Sequence, residues 1–233
     1  MKRAKFVLIL CFALFFCKEL YAQKQMHIIV SEMFTRTFLL NKWDHDATPI
    51  LKKLPSYYTC PSIIIRQELK KRWHLNYGIL YSVQAQKHII VPIDQPGKTV
   101  LTYIKLPLLL QYNILNKPNA SVFLQAGPQV SLLVIEEGSI VIYPKEAYEV
   151  GGAYKPVVLD GVIAFGGEIK LYKNFFYNIQ LRFDHSLHNV NNLSYGNIST
   201  AGTVAIKDVL NNPRSAEYNM TIGLSNGISL KIR

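Results

Sequence analysis

The stretch Thr99–Val134 alternates apolar and polar side chains with a period of two along two successive arms. That period is typical of β-strands, in which neighbouring side chains point to opposite faces. Asn116-Lys117-Pro118-Asn119 separates the arms with turn-forming residues, so the stretch predicts a β-hairpin. Its more polar face carries Tyr103, Lys105, Pro107, Leu109, Gln111, Asn113, Phe123, Gln125, Gly127, Gln129, Ser131 and Leu133, and its apolar face carries Ile104, Leu106, Leu108, Leu110, Tyr112, Ile114, Val122, Leu124, Ala126, Pro128, Val130, Leu132 and Val134.

The same alternation recurs along the rest of the chain and predicts eight strands in all. It is cleanest in Phe175–Asp184, where every second residue is apolar. It is weakest in the first strand, because Glu32 and Arg36 share the parity of Val30 and Phe34, which leaves the register of that strand open. The predicted strands are His27–Leu40, Tyr57–Leu69, Arg72–Gln86, the two arms of Thr99–Val134, Val157–Tyr172, Phe175–Asp184 and Tyr218–Ile232.

The predicted connections are alternately long and short along the chain. In an up-and-down barrel, successive connections lie at opposite ends, so all the short ones share one end and all the long ones share the other. Transmembrane β-barrels have this asymmetry. The long connections are Asn41–Ser56, Lys87–Lys98, Ile135–Pro156 and Ser186–Arg214, and the short ones are Lys70-Lys71, Asn116–Asn119 and Lys173-Asn174.

The chemistry of the two faces favours a membrane barrel over a soluble one. A soluble lipid-binding barrel has an apolar interior, whereas a membrane barrel has an apolar exterior. The polar face here carries Arg66, Glu68, His74, Lys105, Glu168, Lys170, Arg182 and Asp184, which is too much charge for a cavity that binds apolar cargo. The sequence therefore predicts an all-β fold, an eight-stranded antiparallel up-and-down transmembrane barrel with short periplasmic turns and long extracellular loops. A soluble lipid-binding barrel of inverted polarity is the alternative.

The N-terminus predicts export. A basic start, an apolar run from Phe6 to Cys17 and a small residue at Ala22 are typical of a secretory signal peptide. The apolar run is shorter than the roughly 20 residues of a membrane-spanning helix. We therefore expect a signal peptide at residues 1–22 and a barrel domain at residues 23–233, located in the outer membrane. Only Cys60 remains after cleavage, so no intrachain disulfide is expected.

Several motifs resemble the small outer-membrane β-barrel proteins of the Bacteroidetes type, often called PorT-like. The resemblance covers about Tyr57 to the C-terminus. It implies an outer-membrane barrel and permits an accessory role in protein secretion. The motifs are Arg66-Gln-Glu-Leu, Tyr77-Gly-Ile-Leu-Tyr-Ser, Tyr103-Ile-Lys-Leu-Pro-Leu-Leu-Leu-Gln-Tyr, Leu124-Gln-Ala-Gly-Pro and a last strand with Gly223 and Gly227.

Two residue clusters suggest chemistry, but each has a simpler explanation. Asp44-His45-Asp46, with His88, contains metal-ligand types, although adjacent residues rarely bind one ion and a solvated loop explains them as well. Asp184-His185-Ser186, with His188, contains the residue types of a hydrolase. In a regular strand, however, Asp184 and His185 point to opposite faces, and Asp184 would pair with Arg182 or a lysine of a neighbouring strand.

The expected function is therefore a structural, adhesion or secretion-accessory role exerted through the outer loops. We expect the inner charges to fill the narrow interior as an ion-paired plug, because eight strands leave room only for side chains. No catalytic residue, metal or cofactor is assigned. The expected partners are outer-membrane lipid, lipopolysaccharide and other envelope or secretion proteins, not nucleic acid. An outer-membrane lipid hydrolase or acyltransferase is the enzymatic alternative.

Overall fold

The computed structural model describes residues 25–41, 51–90, 95–142, 146–149, 154–190 and 217–232. The expected signal peptide lies outside these residues. All the regular elements of the described residues are β-strands, and these residues contain no helix that is long and apolar enough to cross a membrane. The strands are β1 (Met26–Asn41), β2 (Leu51–Leu54), β3 (Tyr57–Lys70), β4 (Trp73–Ile90), β5 (Gln95–Lys117), β6 (Ala120–Ile142), β7 (Glu146–Glu149), β8 (Val157–Tyr172), β9 (Phe175–Ser186) and β10 (Glu217–Lys231).

Eight of these strands form a closed antiparallel barrel, as the sequence predicts. Neighbouring strands pair in the order β4, β3, β1, β10, β9, β8, β6, β5, and β5 pairs with β4 to close the ring. The two short strands lie outside this ring, with β2 paired to β4 and β7 paired to β6. Closure leaves no unpaired edge within the ring, so the backbone hydrogen-bonds to itself.

The strands are staggered by ten residues around the barrel. The path of paired positions leaves β1 at Arg36, passes through every barrel strand and returns to β1 at Met26, a displacement of 36 − 26 = 10 residues. For eight strands, this stagger corresponds to a tilt of roughly 40° from the barrel axis. The intermediate positions on this path are Ile222, Phe183, Ile163, Ala126, Leu110, Leu75 and Gln67.

The two ends of the barrel differ, and we call them the turn end and the loop end. The turn end carries three two-residue turns together with Met26 and Lys231. Lys71-Arg72 forms the first turn, one residue later than the predicted Lys70-Lys71, because Lys70 still pairs with Trp73. The second consists of Pro118-Asn119 alone, since Asn116 and Lys117 pair with β6. The third is Lys173-Asn174, where Lys173 has a positive φ of 40°.

Apolar residues face outward and polar residues face inward, as predicted, which rules out the soluble barrel of inverted polarity. There are two exceptions. Ala85 belongs to the set of alternate residues predicted to face outward, but it is buried. Lys170 belongs to the set predicted to face inward, but it is exposed because it lies near the end of β8. Leu80 interrupts the polar parity of its strand and packs inside with Met33 and Cys60. The exposed apolar residues include Val30, Phe34, Ile63, Ile79, Leu106, Leu108, Leu110, Leu124, Ile163, Phe165, Ile169, Leu181, Leu224 and Ile228.

The structure settles the register of β1, which the sequence leaves open. Ile29, Met33 and Thr35 are buried inside the barrel, whereas Val30 and Phe34 are exposed on the outer face. Glu32 is therefore also exposed on the outer face, among apolar residues. The sequence obscures this arrangement because the inward positions of β1 are small or apolar rather than charged.

Three of the connections predicted to be long loops contain β-strand residues that the sequence pattern did not predict. β4 continues to Ile90 and β5 begins at Gln95, so most of Lys87–Lys98 is paired. Similarly, β6 extends into the predicted connection Ile135–Pro156 and pairs with β7, and β2 lies within Asn41–Ser56. Pro96 and Gly97 suggested a loop, but the cross-strand pairing of β4, β5 and β6 overrides that local signal.

Aromatic residues mark both edges of the apolar band. At the turn end, the ring centroids of Trp73 and Tyr112 lie 4.8 Å apart. Toward the loop end, Phe34 stacks on Tyr57 at 5.4 Å, and the Arg36 guanidinium lies 4.6 Å from the centroid of the Phe38 ring. Such belts are typical of the interfaces of membrane barrels.

Leu108 tests which face of the barrel contacts lipid. It lies on the outer face of β5, two residues from Leu110, with its side chain 50% exposed. We expect Leu108→Arg to reduce the free energy of unfolding in lipid by roughly 2–4 kcal/mol, because it places a cation near the bilayer midplane. Leu187→Arg, beyond the loop-end terminus of β9, is the control and should cost about 1 kcal/mol or less. Equal costs in urea unfolding experiments would contradict the assignment of the lipid-facing surface.

Candidate functional site

The most strongly charged part of the interior is centred on Asp184, which is 3% exposed. Lys105 Nζ donates to Asp184 Oδ2 at 3.0 Å, and Arg182 Nε donates to Asp184 Oδ1 at 2.7 Å. Strand alternation places all three inward, Lys105 from β5 and the other two from β9. One carboxylate thus pairs with two cations. The pairing with Arg182 is as expected from the sequence, whereas Lys105 belongs to β5, which is not adjacent to β9.

Hydrogen bonds extend this cluster across the barrel into what we call the upper network, which consists of Lys105, Gln129, Ser131, Asp160, Arg182 and Asp184. Arg182 Nη2 donates to Gln129 Oε1, and Gln129 Nε2 donates to Asp160 Oδ2 at 2.9 Å. Ser131 also donates to Asp160. The second buried carboxylate of this network therefore receives two donors, so its burial is compensated.

A second set of contacts, the lower network, lies nearer the turn end. It consists of Arg66, Asn76, Gln111, Asn113, Gln125 and Glu168. Arg66 Nη1 donates to Glu168 Oε2 at 2.6 Å, and Arg66 Nε donates to Asn76 Oδ1 at 3.3 Å. Gln111 Oε1 accepts from Asn76 at 3.1 Å and from Gln125 at 3.0 Å. These bonds connect β3, β4, β5, β6 and β8 through the interior.

Side chains also fill the barrel interior between the two networks and on the loop-end side of the upper network. Toward the loop end, Tyr103 packs with Leu101, Val158 and Val190 in a buried apolar cluster. Between the two networks lies a cavity of only about 20 Å³, lined by both Arg66 and Arg182, which is barely enough for one water molecule. The described interior is therefore a packed plug rather than a continuous channel.

The larger cavity lies at the turn end and has a volume of about 540 Å³. Its charged lining residues are mainly basic, and Arg66 and Glu168 of the lower network lie at its base. Arg66 Nη2 and His74 Nδ1 are buried without a hydrogen-bond partner among the described residues. The charged lining suits a water-filled opening at the turn end, which the packed interior closes at its inner end. Its other charged or titratable lining residues are His27, Glu68, Lys71, Arg72, Lys117 and Lys231.

The structure does not bring the candidate hydrolase residues together. Asp184 points inward into its ion pairs, whereas the ring of His185 stacks on Tyr218, with centroids 6.1 Å apart. Ser186 Oγ is buried and accepts a hydrogen bond from the backbone N–H of Asn219 at 2.9 Å. Neighbouring positions along a strand alternate faces, so these three residues do not form a proton relay.

The candidate metal residues Asp44, His45 and Asp46 lie outside the described residues. The structure describes only the backbone of His88, which pairs with Lys53 and Gly97. Over the ranges that the structure describes, no three His, Cys, Asp or Glu residues are grouped so that they could hold a metal ion. Cys60 is fully buried, and its thiol lies 3.5 Å from the Thr35 hydroxyl.

The two sequence motifs with the strongest family resemblance are neighbours in the sheet. Pro107 of the Lys-Leu-Pro motif pairs with Gln129, next to the Ala-Gly-Pro motif. A Cβ at Gly127 would lie 2.3 Å from the backbone oxygen of Leu108, so only glycine fits where β5 and β6 approach each other. The motif residues thus have a structural role in the β5–β6 contact.

Sequence reasoning identified the interior charges but missed Asp160 and the central role of Gln129. Asp160 shares the inward parity of Glu168, and this periodicity was the available signal. The signal is weak at Asp160, because this residue lies near the start of β8, next to a predicted connection. That Gln129 would bridge Arg182 and Asp160 could not be read from periodicity, because the bridge depends on the stagger between strands.

Comparisons with known proteins agree with this architecture. A family model described as an outer membrane protein beta-barrel domain matches residues 34–192, which is more than half of the chain. No curated protein matches the chain. The outer membrane protein OprG from Pseudomonas aeruginosa is similar in structure, with a TM-score of 0.51 and 8% identity, covering 90% of this chain and 96% of OprG. The outer membrane protein AlkL has a TM-score of 0.48 and 15% identity, covering 91% and 92% of the two chains.

Asp184 provides a test of the plug. Asp184→Ala leaves Lys105 and Arg182 buried without their shared carboxylate, and breaking a buried ion pair in this way costs about 3–5 kcal/mol. We expect a loss of that size in the free energy of unfolding, measured by urea titration in lipid vesicles. The control Lys170→Ala, at an exposed turn-end position, should change stability by about 0.5 kcal/mol or less. A loss below about 1 kcal/mol for Asp184→Ala would contradict a structural role for the upper network.

Proposed function

The chain belongs to the outer membrane protein beta-barrel domain family, and from this premise we propose that it is a closed, non-conducting outer-membrane anchor that acts through its loop end. The turn end would then face the periplasm and the loop end the exterior, because membrane barrels of this class have short periplasmic turns and long outer connections. This orientation places the basic cavity on the periplasmic side.

One observation carries the proposal, namely the length of the sheet at the loop end. β5 and β6 are each 23 residues long, whereas about 9–11 residues suffice to span a membrane in a tilted strand. At a tilt of roughly 40°, 23 residues extend roughly 55 Å along the barrel axis, against an apolar band of about 25 Å. The excess length projects past the loop-end edge of the band, since the turn end closes at Pro118-Asn119.

The projecting sheet consists of β2, β7 and residues 84–90, 95–102 and 135–142 of β4, β5 and β6. Membrane anchoring alone does not require it, because β9 crosses with 12 residues. A rigid sheet that rises from one side of a barrel is suited to holding connecting segments in position for contact with a partner. We therefore assign the protein's activity to this sheet and to the loops that it supports.

The role that fits best is an adhesion or secretion-accessory function in the cell envelope. The PorT-like motifs favour the secretion role, in which the loop end contacts other envelope proteins, with lipopolysaccharide surrounding the barrel. The packed networks favour a non-enzymatic role and argue against a pore. An outer-membrane lipid hydrolase centred on His185 is less well supported, because its ring stacks on Tyr218 and lacks a carboxylate partner among the described residues.

Trimming the projecting sheet tests this proposal. Lys87 and Lys98 are cross-strand partners, so replacing residues 88–97 with Asn-Gly should close the β4–β5 hairpin with a two-residue turn. We expect the trimmed barrel to assemble, shown by heat-modifiable migration in gels, but to fail to complement a deletion strain. The readouts are the proteins that the strain secretes and its adhesion.

The matched control replaces Pro118-Asn119 with Asn-Gly at the turn end, where it leaves the projecting sheet intact. This variant should assemble and complement like the unmodified protein. Full complementation by the trimmed barrel would contradict the proposal, as would equal loss of complementation in both assembled variants.

A further inference from the structure

Glu32 and Asn226 form a polar pair in the middle of the lipid-facing surface. They are cross-strand partners on β1 and β10, and both side chains are exposed on the outer face. The outward positions next to them along their own strands and directly across on the adjacent strands are all apolar. These neighbours are Val30 and Phe34 on β1, Pro61 on β3, Leu224 and Ile228 on β10, and Ile179 on β9.

The stagger of the barrel gives the height of this pair. Met26 and Arg36 lie near the two edges of the apolar band, because the first is at the turn end and the second contacts the loop-end aromatic residues Phe38 and Tyr57. Glu32 lies six residues from Met26 and four from Arg36, which corresponds to roughly 15 Å and roughly 10 Å along the barrel axis. Both distances place the carboxyl group deep inside a band about 25 Å thick.

Lipid cannot satisfy these groups. Among the described residues, neither Glu32 nor Asn226 has a side-chain hydrogen bond or ion pair, whereas the buried charges of the two networks form the ion pairs Arg66–Glu168, Lys105–Asp184 and Arg182–Asp184. A glutamate side chain is too short to reach either interface from this depth, in contrast to lysine or arginine near a strand end. An ionisable group at such a position is costly in hydrocarbon unless another protein group covers it.

We propose that this surface, formed by the outer faces of β3, β1 and β10, binds a second copy of the chain within the membrane. A two-fold axis along the membrane normal keeps every residue at its own height, so Glu32 of one copy can face Asn226 of its partner, and the reverse. The Asn226 amide N–H then donates to the Glu32 carboxyl group in both directions. The flanking apolar residues pack against their counterparts and exclude lipid from the two hydrogen bonds.

A second copy fits better than an unrelated partner because the pair is self-complementary. A carboxyl group beside a carboxamide supplies both an acceptor and a donor at one level, which is what a two-fold interface requires. A partner recognised by charge alone would not need Asn226. A cationic membrane protein that binds Glu32 is the competing occupant, and the experiment below separates the two.

The test measures self-association of the purified barrel in detergent micelles by sedimentation equilibrium. We expect the unmodified protein to dimerise, and Glu32→Leu or Asn226→Leu to weaken the dimer at least tenfold. Glu32→Gln should retain the dimer, because the amide still accepts a hydrogen bond at the same position. Both leucine variants should keep heat-modifiable migration, which separates loss of the interface from loss of the fold.

A crosslinking experiment checks the geometry in bilayers. Val30→Cys, next to the pair, should form an intermolecular disulfide under oxidation, whereas Ile163→Cys on β8 should not. Both positions are similarly exposed, at 58% and 57%, so accessibility does not explain a difference. A barrel that is monomeric at all protein-to-detergent ratios would overturn the proposal. Unchanged dimerisation of both leucine variants, or crosslinking of Val30→Cys only to a different, cationic protein, would also overturn it.

Discussion

The constraint on which the rest of the structure depends is that hydrocarbon offers no hydrogen-bond partner to a polypeptide backbone. Inside a bilayer, a sheet can satisfy this constraint only by closing on itself. Here the β4–β5 pairing completes the ring, and a stagger of ten residues sets the tilt at which eight strands can close. Closure also fixes the register, because a shift of one residue would turn every inward charge toward lipid.

The side chains of the interior follow from that closure. Eight strands enclose only a side-chain-wide space, so charged groups that face inward must pair or lose stability. Arg66 pairs with Glu168, and Asp184 is shared by Lys105 and Arg182, while Gln129 and Gln111 connect the strands between them. Both networks link strands that are distant in sequence, so they bind the barrel wall together across its interior. The polar face is thus structural, which is why we propose that the protein acts through the sheet that projects beyond it.

Periodicity predicted the fold because each strand has to present one face to lipid and the other to the plug. This worked best in β9, where Arg182 and Asp184 alternate with Leu181 and Phe183. It identified β1 but left its register open, because the inward residues Ile29 and Met33 need not be charged in order to pack. Periodicity also underestimated the lengths of β4, β5 and β6. Pro96 and Gly97 suggest a loop, whereas the pairing of these three adjacent strands favours sheet. The partners within each network depend on the stagger, which local sequence does not encode.

The central claim is that the polar face encloses a closed plug and the apolar face contacts lipid. Two adjacent residues on β10 test it most directly, because Ser225 is buried inside and Leu224 is exposed outside. The measurement is the reaction of single cysteines at these positions, in a Cys60→Ser background, with a water-soluble thiol reagent and with a membrane-soluble one. The account predicts that Leu224→Cys reacts only with the membrane-soluble reagent and that Ser225→Cys reacts with neither. Rapid reaction of Ser225→Cys with the water-soluble reagent would show an open channel and contradict the account.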